Sequence, residues 1–215
     1  MLRTPNKPLG RNNRVVLIYL ILFIATLAMN CLLALSDGKL VTVILITIIW
    51  TADIIMFISV WCSKGSFIEH DPSVSMISLM ETFDAENLCP FCRVIRLPKS
   101  RHCNICNRCV DRYDHHCPWV NNCIGRTNHT YFYFHLLLVL LYCITSTINS
   151  CVSLFSKDSS NEVDLASRIP QSLLTMSIVT LIVFGLFFGL FIGVLVVYQT
   201  QNLINGMTSG ERTRR

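Results

Sequence analysis

The sequence predicts an all-α integral membrane protein with four transmembrane helices and a cysteine-rich domain between the second and third. Three observations predict it. Only 14% of the residues are charged while 52% are hydrophobic, against roughly 25% charged in a soluble domain. The apolar residues gather into four long runs. Seven of the eleven cysteines crowd, with three histidines, into one polar segment between Cys89 and Cys123.

A bilayer core of about 30 Å needs about 20 apolar residues in a helix. The runs 15–35, 40–61, 131–154 and 173–198 qualify. The first is too long for the core of a cleavable signal peptide, and a second follows at once, so it is read as a retained span. The link Ser36-Asp37-Gly38-Lys39 is short enough to force the first two spans into an antiparallel hairpin. The chain therefore divides into an N-terminus (1–14), a hairpin (15–61), the island (62–130), a second pair of spans (131–198) and a short tail (199–215).

Lysine and arginine placement sets the orientation. Arg3, Lys7, Arg11 and Arg14 precede the first span. Lys64, Arg93, Arg96, Lys99, Arg101, Arg108, Arg112 and Arg126 lie in the island, and Arg212, Arg214 and Arg215 in the tail. On the other side Lys39, Lys157 and Arg168 are outnumbered by Asp37, Asp158, Glu162 and Asp164. Both termini and the island are thus expected in the cytosol. This bias accounts for the net charge of +5 and leaves no case for nucleic acid as a partner. It also makes the glycosylation match Asn128-His129-Thr130 a false positive. Asp53 falls inside the second span, where a carboxyl is costly and is expected to face the bundle with a hydrogen bond.

Between Cys89 and Cys123 the ligand-type residues are Cys89, Cys92, Cys103, Cys106, Cys109, Cys117 and Cys123, with His102, His115 and His116. Structural zinc takes four such ligands. Two tetrahedral sites consume eight of the ten, which leaves one thiol and one imidazole. Those are the parts of an activated nucleophile. Asp114-His115-His116-Cys117 offers such a pair with an acidic residue to orient the ring, although counting alone does not say which histidine remains.

The run Cys89-x2-Cys92, His102-Cys103-x2-Cys106-x2-Cys109, Asp114-His115-His116-Cys117-Pro118-Trp119-Val120-Asn121-Asn122-Cys123-Ile124-Gly125 resembles the cysteine-rich domain of DHHC palmitoyltransferases over about 50 residues. The resemblance implies two structural zinc sites, one of Cys89, Cys92, His102 and Cys109, the other of Cys103, Cys106, His116 and Cys123. It implies Cys117 as acyl acceptor, His115 as the general base that activates it, and Asp114 as the residue that orients His115. The implied reaction is ping-pong: palmitoyl-CoA or another long-chain acyl-CoA acylates Cys117, and a cysteine of a membrane-associated protein then takes the acyl group. The sequence leaves the membrane open among the Golgi, endoplasmic reticulum and plasma membrane.

Two flanking motifs depart from the family. Its Asp-Pro-Gly is here Asp71-Pro72-Ser73, so a turn needing positive φ would be strained by about 1 kcal/mol. Its Thr-Thr-x-Glu is here Thr208-Ser209-Gly210-Glu211, which keeps a hydroxyl for a hydrogen bond to Asp114.

A sixteen-carbon chain, at about 0.8 kcal/mol per buried methylene, suits an enzyme embedded in lipid. Trp119, Tyr131, Phe132, Tyr133 and Phe134 suit the membrane interface. Arg93, Arg96, Lys99 and Arg101 suit the phosphates of CoA and an anionic lipid surface equally. Three rival readings remain. One is a catalytically silent scaffold of the same family. Another is a membrane-anchored zinc-binding ubiquitin ligase, disfavoured because five residues lie between Cys117 and Cys123. The third is a channel or transporter, disfavoured because the spans lack repeated polar positions beyond Asp53.

Overall fold

A computed structural model describes residues 13–64, 66–155 and 170–212. Arg3, Lys7, Arg11, Lys157, Asp158, Glu162, Asp164, Arg168, Arg214 and Arg215, used above for orientation, lie outside the described residues. The chain divides into two compact units. One combines the described parts of Met1–Leu17, Phe57–Phe132 and Gln199–Arg215. The other combines Ile18–Met56 and Tyr133–Tyr198.

Among the described residues, four helices are long and apolar enough to cross a membrane: α1 (Arg14–Ser36), α2 (Leu40–Cys62), α4 (His129–Phe155) and α5 (Gln171–Ile204). At 1.5 Å per residue the shortest is about 35 Å long, enough for a bilayer core. Their outward faces are apolar: Ile21, Ile48, Val183, Phe187 and Leu190 are all exposed. Only a lipid solvent makes such a surface stable, so the chain is a multi-pass membrane protein. The helix α5 runs on as a polar helix past Tyr198, where its apolar stretch ends.

Within the second unit the core forms around Phe23, Ile46 and Tyr142, with Trp50 stacked on Phe23. Gly38, at φ 70°, turns the chain between α1 and α2. Asp37 there accepts from Lys39 at 2.6 Å and from Ser153 of α4. Polar groups also bind the helices internally. Asn30 of α1 donates to Tyr142 and Ser146 of α4 at 3.2 and 2.8 Å. Fully buried Asp53 holds Nδ1 of His135 at 2.7 Å through one oxygen. Its other oxygen has no hydrogen-bond partner among the described residues. The interior thus carries more polar positions than Asp53 alone.

The island departs from the all-α expectation. After a short helix α3 (Met76–Thr82) it holds three antiparallel two-stranded hairpins. They are β1 (Leu88–Cys89) with β2 (Val94–Ile95), β3 (Arg101–Cys103) with β4 (Arg108–Val110), and β5 (His115–Cys117) with β6 (Asn122–Ile124). The reason is local: each turn ends on a left-handed residue, Arg93 at φ 55°, Asn107 at 53° and Asn121 at 45°, and no helix survives such a step. A four-residue helix α6 (Ser209–Arg212) closes the described chain.

Candidate active site

Strand alternation sorts the ligand-type residues. Successive side chains point to opposite faces of a strand. On β3, His102 pairs across the hairpin with Cys109, while the next residue, Cys103, points the other way. His102 and Cys109 therefore join Cys89 and Cys92, and Cys103 joins Cys106. On β5, His116 pairs with Cys123 and turns to Cys103 and Cys106. The ligand atoms of Cys89, Cys92, His102 and Cys109 all lie within 4.8 Å of one another, and so do those of Cys103, Cys106, His116 and Cys123.

Both quartets fit a tetrahedral cation. Zinc with bonds of 2.0–2.3 Å separates its ligand atoms by about 3.4–3.8 Å. His102 Nδ1 lies 3.6, 3.2 and 3.9 Å from the sulfurs of Cys89, Cys92 and Cys109. His116 Nδ1 lies 3.9, 3.4 and 3.6 Å from those of Cys103, Cys106 and Cys123. All eleven cysteines are free thiols. The crowding splits their acidities: hydrogen bonding from Cys106 and Cys123 pulls the Cys103 thiol far down, and Cys103 and Cys106 push Cys123 far up. A dication at the centre removes that conflict by letting every sulfur ionise.

The same alternation puts His115 and Cys117 together on the opposite face of β5 from His116. Asp114 is 2% exposed and accepts three hydrogen bonds. His115 Nδ1 reaches Oδ2 at 2.8 Å, Gln199 Nε2 reaches the same oxygen at 2.9 Å, and the Ser209 backbone N–H reaches Oδ1 at 2.5 Å. Burial alone would raise the carboxyl; the bonds from His115, Ser209 and Gln199 outweigh it and hold Asp114 well below the usual carboxylate range. Burial likewise works against charge on His115, but hydrogen bonds to Asp114 and Cys117 prevail and push it up to about 9. With Nδ1 committed to Asp114, Nε2 is the nitrogen left to serve the buried Cys117 thiol. The ring packs edge-on against Phe132, 5.2 Å between centroids.

The hairpin is braced from the end of α2. Asn122 Nδ2 donates to the carbonyls of Val60 and Ser63 at 2.8 and 3.0 Å, and Asn128 Nδ2 to the Ser63 hydroxyl at 2.7 Å. Lys99 does not stand free for phosphate: it donates to the Gly206 carbonyl at 2.8 Å and pairs with Glu211 at 3.4 Å. Of the interface aromatics, Phe132 is buried, whereas Trp119, Tyr131 and Phe134 are exposed.

The two altered motifs behave differently from their sequence reading. Ser73 is not at positive φ. Its N–H and hydroxyl both donate to Asp71 Oδ1, at 2.9 and 2.7 Å. The turn is closed by side-chain bonding, and no glycine is required. At Ser209 it is the backbone N–H that reaches Asp114, while the hydroxyl accepts from Gln199 and Asn202 at 3.3 and 3.0 Å.

Sequence reasoning missed Gln199 and Asn202, which are buried although they follow a long apolar run; polar residues continuing that helix were the available signal. It also missed a repeat. Cys89, Cys103 and Cys117 recur at a constant step of 14 residues, each opening a turn of the same form. In the first two turns the second ligand follows three positions later, as Cys92 and Cys106. In the third that place is held by buried Val120. The later ligands, His102 then His116 and Cys109 then Cys123, would next fall on Thr130 and Leu137. Cys117 thus occupies a ligand's place in a third unit that lacks the other three ligands.

The family model described as DHHC palmitoyltransferase matches residues 82–215. Palmitoyltransferase ZDHHC17 of Rattus norvegicus is 41% identical over 87 residues, 40% of this chain and 14% of that protein. Palmitoyltransferase ZDHHC23-A of Danio rerio is 50% identical over 58 residues, 27% of this chain and 14% of that protein. Palmitoyltransferase ZDHHC9 of Danio rerio is 41% identical over 62 residues, 29% of this chain and 16% of that protein. The matched stretch is thus a small part of each of these relatives. The family model extends over more than half of this chain and takes in both quartets, the Asp114-His115-Cys117 face and the Ser209 turn, so the chain belongs to the DHHC palmitoyltransferase family.

Proposed function

We propose that the chain is a protein S-palmitoyltransferase, with Cys117 as nucleophile, His115 as general base and Asp114 as the residue that orients it. The observation that carries this reading is that His115 and Cys117 share a face of β5, outside both ligand quartets, with Asp114 bonded to His115. His115 Nε2 takes the thiol proton as Cys117 Sγ attacks the acyl-CoA carbonyl carbon. The carbon–sulfur bond to CoA breaks, and the CoA thiolate leaves with that proton. In the second step the base accepts the proton of an acceptor cysteine, whose sulfur attacks the Cys117 thioester and releases the free Cys117 thiol. The imidazolium that forms in each step is stabilised by Asp114.

Zinc held by Cys89, Cys92, His102 and Cys109, and by Cys103, Cys106, His116 and Cys123, would serve structure, because four protein ligands at each site would leave no position for water. The hairpins have little apolar core of their own, and metal supplies what burial does not. The spans 15–35, 40–61, 131–154 and 173–198 would place the 62–130 domain and the 199–215 tail in the cytosol, where acyl-CoA and membrane-apposed acceptor cysteines meet. Golgi, endoplasmic reticulum and plasma membrane all fit this reading.

The test is labelling with a palmitoyl-CoA analogue. The wild type acquires a hydroxylamine-labile acyl group and passes it to an acceptor cysteine. Equal labelling of Cys117→Ser would sink the assignment. Labelling without transfer to any acceptor would favour the silent scaffold.

A further inference from the structure

We infer that Gln199 is a positioning residue of the reaction, and that His129 sets its orientation. The inference rests on the S-acyltransferase reading and extends its machinery by two residues. Gln199 is 4% exposed, and its amide is used on both sides. Nε2 donates to Asp114 Oδ2 at 2.9 Å and to the Ser209 hydroxyl at 3.3 Å. Oε1 faces His129 Nε2 at 3.4 Å. An ionised carboxylate only accepts, so the amide must turn its NH2 to Asp114, and a ring N–H from His129 on the far side reinforces that orientation.

The geometric effect falls on one atom. Oδ2 of Asp114 serves both His115 Nδ1 and Gln199 Nε2, while Oδ1 serves the Ser209 N–H. Three donors in fixed directions leave the carboxylate no rotation, so the His115 ring is held in one plane and one tautomer. Without Gln199 the carboxylate keeps its charge and its Ser209 bond but gains freedom to turn about its χ2 torsion, which is soft. Losing a partner that orients a functional side chain typically lowers activity by about 10- to 100-fold.

The full chain in detergent micelles provides the test, with two readouts. One is single-turnover acyl-enzyme formation across a palmitoyl-CoA series, which separates the first-order rate from half-saturation. The other is alkylation of Cys117 by iodoacetamide, which needs no acyl-CoA. Gln199→Met is expected to lower both rates by about 10- to 100-fold, with half-saturation and metal content unchanged. His129→Phe is expected to lower them less. Combined, the two substitutions are expected to do no more than Gln199→Met alone, because His129 acts through the amide; independent structural damage would instead add. Wild-type rates in Gln199→Met, or additivity in the double variant, overturns the inference. If Gln199→Met fails to fold, His129→Phe decides: an unchanged rate overturns the proposal. If the wild type forms no acyl-enzyme at all, the acyltransferase reading fails, and the alkylation rates still decide the role of Gln199.

Discussion

Ser209 gives its backbone N–H to Asp114 Oδ1 at 2.5 Å, across 95 residues of chain. Because the donor is the main chain, the side chain at 209 is secondary to that bond. Replacement of the family's threonine by serine therefore leaves the carboxylate's support in place.

A proline separates the two roles. Ser209 is the first residue of α6, a position where proline is tolerated but carries no N–H. Ser209→Pro is expected to lower acyl-enzyme formation by about 10-fold or more, whereas Ser209→Ala stays within a few-fold of wild type. Single-turnover labelling of both variants checks this; the reverse ranking would assign the role to the hydroxyl.

Asp114→Asn keeps the shape but offers three incoming donors one oxygen and one NH2. At least one donor then faces another. Loss of the orienting carboxylate in a comparable acid–histidine–nucleophile arrangement costs about 10⁴-fold, and a fall of 10²-fold or more is expected here in the first-order acylation rate. A change below tenfold would remove Asp114 from the mechanism.

The pH profile follows from His115. Its midpoint is pushed up to about 9, so the ring is mostly protonated at neutral pH and its base form grows as pH rises. Acyl-enzyme formation is therefore expected to climb from pH 7, reach half its maximum near 9 and level off only above it. The bond to Asp114 opposes the effect of burial, so Asp114→Asn is expected to move the midpoint down. Rates at saturating acyl-CoA between pH 6 and 10 report both midpoints; coincident profiles would mean that another group titrates.

Metal content distinguishes ligands from nucleophile. Elemental analysis is expected to give two zinc ions per chain, one for each quartet. Cys109→Ser and Cys123→Ser are each expected to lower that by about one and to lose acylation through collapse of their hairpins. Cys117→Ser is expected to keep both ions. Loss of zinc on changing Cys117 would make it a ligand.

Asp53 and His135 form a pair within the second unit. Removing one partner of a buried pair typically costs about 3–5 kcal/mol, while replacing both with apolar residues is often near neutral. His135→Leu is therefore expected to lower the thermal midpoint in detergent more than Asp53→Leu/His135→Leu does. Equal loss in both would show that the contacts of the native side chains, and not the unpaired carboxyl, set stability.

The four long helices were legible because length and apolarity need no partner to be read. Their interior polar ties were less so: Asn30, Ser146 and His135 look like scattered polar residues until the helices bring them together. The hairpins were illegible as strands because two or three residues carry no measurable alternation. That same alternation, once the strands are known, explains why neighbours such as His102 and Cys103 belong to different quartets. Counting ligands leaves a thiol and an imidazole over, and strand alternation puts His115 and Cys117 on one face of β5. Gln199 escaped because its partner Asp114 lies 85 residues away, and no spacing rule reaches that far.

Val120, seated where the two preceding turns carry a second cysteine, has a consequence for where the molecule can hold metal. Any metal drawn by the two quartets could also be held by a further pair of thiols set three positions apart. A branched hydrocarbon at that place makes the third turn a poor chelate. Cys117 is thereby left without the second sulfur that a chelate at this turn would need.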